Sequence, residues 1–285
     1  MLVLSLALGV APGPAEPAAG PPDPAAAAEA LDAGEAHYTR RAEGAAGGTA
    51  LAFHTEGALV EYRRALALDP NSLDARLGLM QAIFFRTGFC EPMEDRDEMR
   101  LLDEAKRIAE AAVAQVESAT GRRKARARDE PAAQALPAAE VYLWAAVSWG
   151  QWAVHHRLSA AWQGAPKRIR DLAEAVLSID PGTAQFGAYI ILGRLHCEAP
   201  RVPGLTSWVS CEKGISFLRQ GAAQAPDNQA LVYFLADELL RRDRSRREEA
   251  RARLERCAAS TPRPDFPVED AHYAELARER LAGQR

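Results

Sequence analysis

The chain has 285 residues, 48% of them hydrophobic and 26% charged, enough apolar content for one large core or two modest ones. A formal net charge of −4 and a pI near 5.9 exclude a global electrostatic attraction to nucleic acid or anionic lipid. Alanine and leucine dominate, and β-branched runs bounded by turn residues are nearly absent, so the composition excludes a sheet-based fold and predicts an all-α one.

The first predicted element is not part of that fold. Leu2 to Val10 form a short apolar core, Gly13 and Ala15 follow in cleavage positions, and a Pro/Ala-rich stretch comes next. Residues 1–24 therefore read as a secretory signal-like segment with a linker, and the competing reading is an untargeted tail. Nine or so apolar residues are too few to span a bilayer, which takes about 20. No cysteine follows the apolar core, so no lipidation site is expected.

Helical spacing of apolar residues then predicts helices over 25–43, 54–68, 73–87 and 98–118. The basic run GRRKARAR lies in residues 119–137, read as a linker or surface loop between an N-terminal group (25–118) and a C-terminal group (138–285). The second group is predicted as helices over 138–157, 166–179, 183–197, 209–224, 228–241, 246–259 and 268–282. A second basic run, RRDRSRR at 241–247, reads as a solvated helix junction, since no aromatics are interleaved to stack on bases.

The helices share their punctuation. ALALDPNS, AVLSIDPGT, GAAQAPDN and RCAASTPRP each run a helical pattern into a proline, at Pro70, Pro181, Pro226 and Pro262. Proline cannot continue a helix, and the Asp or Asn beside it can cap the next one, so each site is a stop and a restart. Small residues recur five positions before these prolines (Ala65, Gly221, Cys257) and twelve before (Ala58, Gly214, Ala250). The 36 residues from Pro226 to Pro262 are close to the roughly 34-residue tetratricopeptide period. Loops at 44–53 and 198–210 stretch the other units. The expectation is a tetratricopeptide-like α-solenoid of about five antiparallel helix pairs, with a concave face on which such arrays bind.

Candidate chemistry is sparse. On the helix over 138–157, Tyr142, Trp149, Trp152 and His156 fall on one side. They read either as the aromatic wall of a pocket for an apolar ligand or a partner's helix, or as packing between repeats. His155 and His156 diverge by about 100° on a helix, so they cannot chelate one ion together, and no metal site is expected. The acidic loop at 91–98 lacks the glycine turn and alternating ligands of a calcium loop. No nucleophile motif or phosphate loop is present, and Glu140 is explained by the preference of helix starts for acids. The chain is expected to be non-enzymatic and to use no cofactor. Four cysteines allow three full pairings. Cys197 ends one predicted helix and Cys211 opens the next, so a hairpin would bring this pair together, against the alternative of four free thiols.

Residues 138–242, with a weaker echo in 54–116, resemble the T-component (TatT) family associated with TRAP transporters. The resemblance is carried by the aromatic helix at 142–152, Pro166, Asp180–Pro181, Leu192–Gly193, the Pro/Gly loop at 200–204 and Ala225–Asp227. The chain departs from the family's lipidation cysteine and from its usual residues before Leu192, where GTAQFGAYII stands. The resemblance implies a periplasmic helical-repeat protein that partners a transporter's solute-binding protein. The alternatives are a carrier of an apolar ligand and a generic cytosolic adaptor. No nucleic-acid partner is expected, and a homo-oligomer is compatible with the sequence.

Overall fold

A computed structural model describes residues 23–120, 137–242 and 244–283. The signal-like segment and most of the basic linker lie outside these residues. Among the described residues there are twelve α-helices and no strand. In chain order they are α1 (Pro24–Thr39), α2 (Ala52–Leu68), α3 (Leu73–Phe89), α4 (Asp95–Ala119), α5 (Ala138–His155) and α6 (Arg157–Trp162). There follow α7 (Ala165–Ile179), α8 (Thr183–Glu198), α9 (Cys211–Gln224), α10 (Gln229–Arg242), α11 (Arg247–Ala258) and α12 (Pro267–Ala282).

The proline-marked stops work through side-chain caps. After α2, the Asp69 carboxylate accepts from the Asn71 amide at 2.9 Å, and Ser72 caps α3 by accepting from Ala75 at 3.2 Å. After α7, Asp180 accepts from the Gly182 amide and the Thr183 hydroxyl, each at 2.9 Å. Asn228 accepts from Ala230 and Leu231 at the start of α10. Ser72 and Asn228 thereby meet first-turn amides that the helix itself leaves unpaired, while Asp69 and Asp180 close the turns just before the helices.

Consecutive helices pack as pairs, α1/α2, α3/α4, α5/α7, α8/α9 and α10/α11, and α12 follows. Helices α1, α3, α5, α8, α10 and α12 also touch one another in succession and form an inner layer. The outer helices are linked through long side chains. Arg63 on α2 meets Glu104 on α4 at 2.7 Å, and Arg219 on α9 meets Glu249 on α11 at 2.9 Å. Direct packing inside and long bridges outside bend the stack toward its inner layer.

The bend carries α12 back to α3 and to the loop after α1. The Gly48 amide donates to Glu275 at 3.0 Å, and Arg41 donates to the Asp265 carbonyl at 2.9 Å and to Glu269 at 3.2 Å. Val268 joins Ala50, Phe85 and Phe89 in one buried cluster. Phe89 meets the rings of His272 and Tyr273 at 5.2 and 6.4 Å. The two ends of the array thereby cover each other, which is the task of capping repeats in open solenoids.

Small residues admit close approach where the repeat spacing placed them. A Cβ on Gly221 would lie 2.7 Å from Leu231 and 2.8 Å from Tyr189, and one on Gly214 would lie 2.5 Å from the Gly193 carbonyl. The largest core cluster includes residues of α4 and α5, so it continues across the basic linker.

Three local details differ from the predicted elements. Helix α1 stops at Thr39 rather than 43, because the chain turns through Gly44 and Gly47 at positive φ (73° and 59°) to reach α12. The extra helix α6 follows a break at His156 (φ −118°, ψ 45°). At the start of α8, Ala184, Gln185 and Phe186 take φ of 45°, 54° and 66°, a left-handed turn that costs roughly 1–2 kcal/mol per residue outside glycine. Asn228 holds it by donating to the Gln185 carbonyl at 3.0 Å, and Arg263, itself clamped on buried Asp270, donates to the Gln185 side chain.

Candidate functional site

The predicted aromatic residues of α5 point into the interlayer core. Tyr142, Trp149 and Trp152 are 2%, 2% and 4% exposed. The Trp149 and Trp152 rings meet at 5.6 Å edge to face, with the Lys106 ammonium of α4 4.5 Å from the first and 4.8 Å from the second. Arg168 of α7 covers Trp149 from 5.1 Å. The Trp152 indole donates to Asp103 on α4 at 2.8 Å, and His156 stacks on Trp152 at 4.7 Å. These side chains fill space between α4, α5 and α7. The physical reason is that α5 belongs to the inner layer and turns its widest apolar side outward onto two neighbours. The α5 residues that contact a neighbouring inner helix are others: Trp144 meets Phe84 of α3 at 5.5 Å, and Gln151 donates to Thr87 at 3.2 Å.

His155 and His156 diverge as the helix dictates, toward Glu98 (3.6 Å) and Asp103 (3.7 Å). Cys197 and Cys211 form a disulfide that ties the end of α8 to the start of α9. Glu238 approaches this pair, and the three are the group of potential metal ligands found close together among the described residues. Disulfide sulfurs are not thiolates, so the group is not a metal site in this state. Cys90 and Cys257 are free thiols. Burial pushes both up, Cys257 to about 12, which makes them poor nucleophiles. In the second basic run Arg241 pairs with Asp237 and Glu238, while Arg242 meets Glu238.

Two surface features stand outside this packing. The first is a recess of about 310 Å³ on the inner layer between α1, α3 and α5. Glu35, Asp74 and Glu140 line it with Tyr38, Tyr62 and Gln81. Its geometry starts from two glycines. The Tyr62 ring leaves α2 and passes between Gly34 of α1 and Gly78 of α3, where an added Cβ would lie 2.7 and 2.3 Å from ring atoms. Tyr62 is only 2% exposed. Burial, with the Glu35 charge and Tyr38 adding to it, pushes its hydroxyl well above the usual range. The three carboxylates form no ion pair with any described residue.

The second feature is α6. Leu158 and Trp162, four residues apart on one side of the helix, are 82% and 91% exposed, and Val154 just before the break is exposed too. A tryptophan left almost wholly in water gives up most of the apolar burial that makes the residue useful in a core.

Neither feature was legible as a site in the sequence. Tyr62 looked like one more aromatic on an amphipathic helix. Gly34 and Gly78 lie outside the small-residue positions that the repeat prolines mark, so their sandwich shows only in three dimensions. Trp162 falls in a stretch that carried no strong helical pattern. Among the described residues no helix is long and apolar enough to cross a membrane. A scan of the chain against protein-family models finds no match, and a search of curated proteins finds none either.

Proposed function

We propose that the chain is a non-enzymatic helical-repeat protein that binds a protein partner through α6. The observation that carries this reading is the pair Leu158 and Trp162, large apolar side chains that the chain's own helices leave uncovered. Exposed aromatic and aliphatic anchors on a rigid scaffold are the usual centres of protein interfaces. The stack of helix pairs supplies the rigidity, and α6 follows the break at His156 that ends α5.

The setting we propose is the periplasm. The signal-like apolar start and the Cys197–Cys211 disulfide both favour an oxidising compartment. The specific partner we propose is a solute-binding protein of a TRAP-type transporter, a reading supported by the resemblance of residues 138–242 to the T-component family. The apolar-carrier alternative would draw on Tyr142, Trp149 and Trp152, which are buried between helices, so the exposed pair on α6 favours a protein partner.

The test is affinity capture of the mature protein from its own cell envelope, in parallel with a Leu158→Ala/Trp162→Ala variant. The expected result is a solute-binding protein retained by the wild type and lost from the variant, while both melt at the same temperature. Equal recovery by both proteins, or recovery of no envelope protein, contradicts the reading.

A further inference from the structure

We propose that His37 and His54 form the two-imidazole core of a site for a late first-row divalent metal ion, copper(II) or zinc. The inference does not rest on α6 or on its partner.

The pair is built from two helices that pack on each other. His37 stands in the last turn of α1 and His54 in the first turn of α2. Their Nδ1 atoms lie 3.4 Å apart while the ring centres lie 5.6 Å apart, so these nitrogens are the facing edges of the two rings. Bonds of about 2.0–2.1 Å to one ion at a tetrahedral angle put two nitrogens about 3.3–3.4 Å apart. The hydrogen bond of an N–H donor is usually shorter, about 2.7–3.2 Å.

The far side of His54 supplies a second and separate observation. Its Nε2 lies 3.3 Å from the Glu43 carboxylate, which Arg40 holds with two bonds of 2.8 Å. With the Nε2–H directed at Glu43, the lone pair of His54 falls on Nδ1, the nitrogen that faces His37. A carboxylate behind a histidine in this way fixes the tautomer and raises the basicity of the ring as a metal ligand.

A third observation is Gly57, one turn beyond His54 on α2. An added Cβ there would lie 2.5 Å from His37 Nδ1, so the missing side chain leaves that nitrogen approachable. Phe53, 73% exposed, stands edge-on to the two imidazoles at 5.1 and 6.4 Å and walls them on one side.

The donor set selects among ions. Two imidazoles, with water in the remaining positions, suit the end of the divalent series, copper above zinc. Magnesium and calcium require oxygen ligands. An entering ion replaces the proton between the two Nδ1 atoms, and that proton passes through water to Nε2 of His37. His155 and His156 cannot act in this way as neighbours on one chain segment. His37 and His54 are 17 residues apart and meet only through the helix pair.

Calorimetric titration of the full-length, oxidised protein tests this, with zinc chloride in one arm and the copper(II)–glycine complex in the other. The expected result is saturable binding of one ion per chain in at least one arm. His37→Ala, at the half-buried member of the pair, is expected to weaken it about 100-fold or more while the metal-free protein melts as the wild type does. Glu43→Gln is expected to weaken it about tenfold. Gly57→Ala, which favours the helix but fills the approach to His37, is expected to weaken it several-fold. His155→Ala with His156→Ala leaves binding intact. Binding in the zinc arm alone or in the copper arm alone supports the site and names its ion. Failure of saturable binding in both arms, affinity kept by His37→Ala, or loss of binding in the His155→Ala/His156→Ala control overturns the proposal. None of these results changes the envelope-capture outcome for α6, so the two readings fail separately.

Discussion

Tyr62 depends on two residues that have no side chain to offer. The slot between Gly34 and Gly78 exists only because both lack a Cβ: an added Cβ at either would lie 2.3 to 2.8 Å from atoms of the Tyr62 ring. On an exposed helix, glycine to alanine stabilises by up to about 1 kcal/mol. At Gly78 the sign reverses, because overpacking a full core costs about 1–3 kcal/mol. Gly78→Ala is therefore expected to lower the midpoint of urea unfolding without changing its slope, while Gly88→Ala on the same helix, where an added Cβ meets nothing within 4 Å, raises it. A Gly78→Ala variant at least as stable as the wild type would mean that the ring does not occupy the slot.

The helix pairs are the level at which the sequence was most readable. Stops at Pro70, Pro181, Pro226 and Pro262 marked the joints because proline and a neighbouring Asp or Asn act within a few residues. The hairpin of α8 and α9 was readable for the same reason, since its two cysteines stand at the facing ends of adjacent predicted helices. What periodicity does not encode is which side of a helix meets which neighbour. The aromatic stripe of α5 was visible, but its direction depends on α4 and α7 together, and Lys106, Asp103 and Arg168 come from both. The disulfide gives this level its own test. Its loop is 14 residues, for which chain entropy gives about 3 kcal/mol of stabilisation. Cys197→Ser with Cys211→Ser is expected to lower the unfolding free energy by up to that amount, and a reductant is expected to do the same to the wild type and nothing to the variant. Native protein is expected to resist alkylation at Cys257, which is fully buried.

At the scale of the whole molecule the closing contact decides shape. Nothing local in the sequence announced that α12 returns to α3, because the partners are more than 170 residues apart and the curvature accumulates over every pair. The contact carries a pH dependence. His272 packs against Phe89, and burial holds its pKa below the usual value, while Glu275 and Glu279 and the Gly48 backbone oppose that shift. Tyr38 and Tyr273 also face this region, with phenols pushed up by burial, as do Arg41 and Glu269. His196, between Trp208 and Phe217, is held low by burial in the same sense. A histidine with a depressed folded pKa stabilises fully above its unfolded value near 6.5 and loses that contribution as pH falls. The melting temperature is expected to drop between pH 7 and pH 5.5, and His272→Phe, which keeps a ring in place, is expected to drop less. An equal slope in that variant would remove His272 from the account.

On α6 the packing leaves Leu158 and Trp162 exposed, and on that pair rests the reading of this chain as a binding protein. Hydrogen exchange read by mass spectrometry, with and without the captured envelope partner, tests that reading most directly. The account expects slowed exchange over residues 154–164 when the partner is bound, and little change along the outer helices α2 and α9. Protection confined to those outer helices, with 154–164 exchanging as in the free protein, would contradict it.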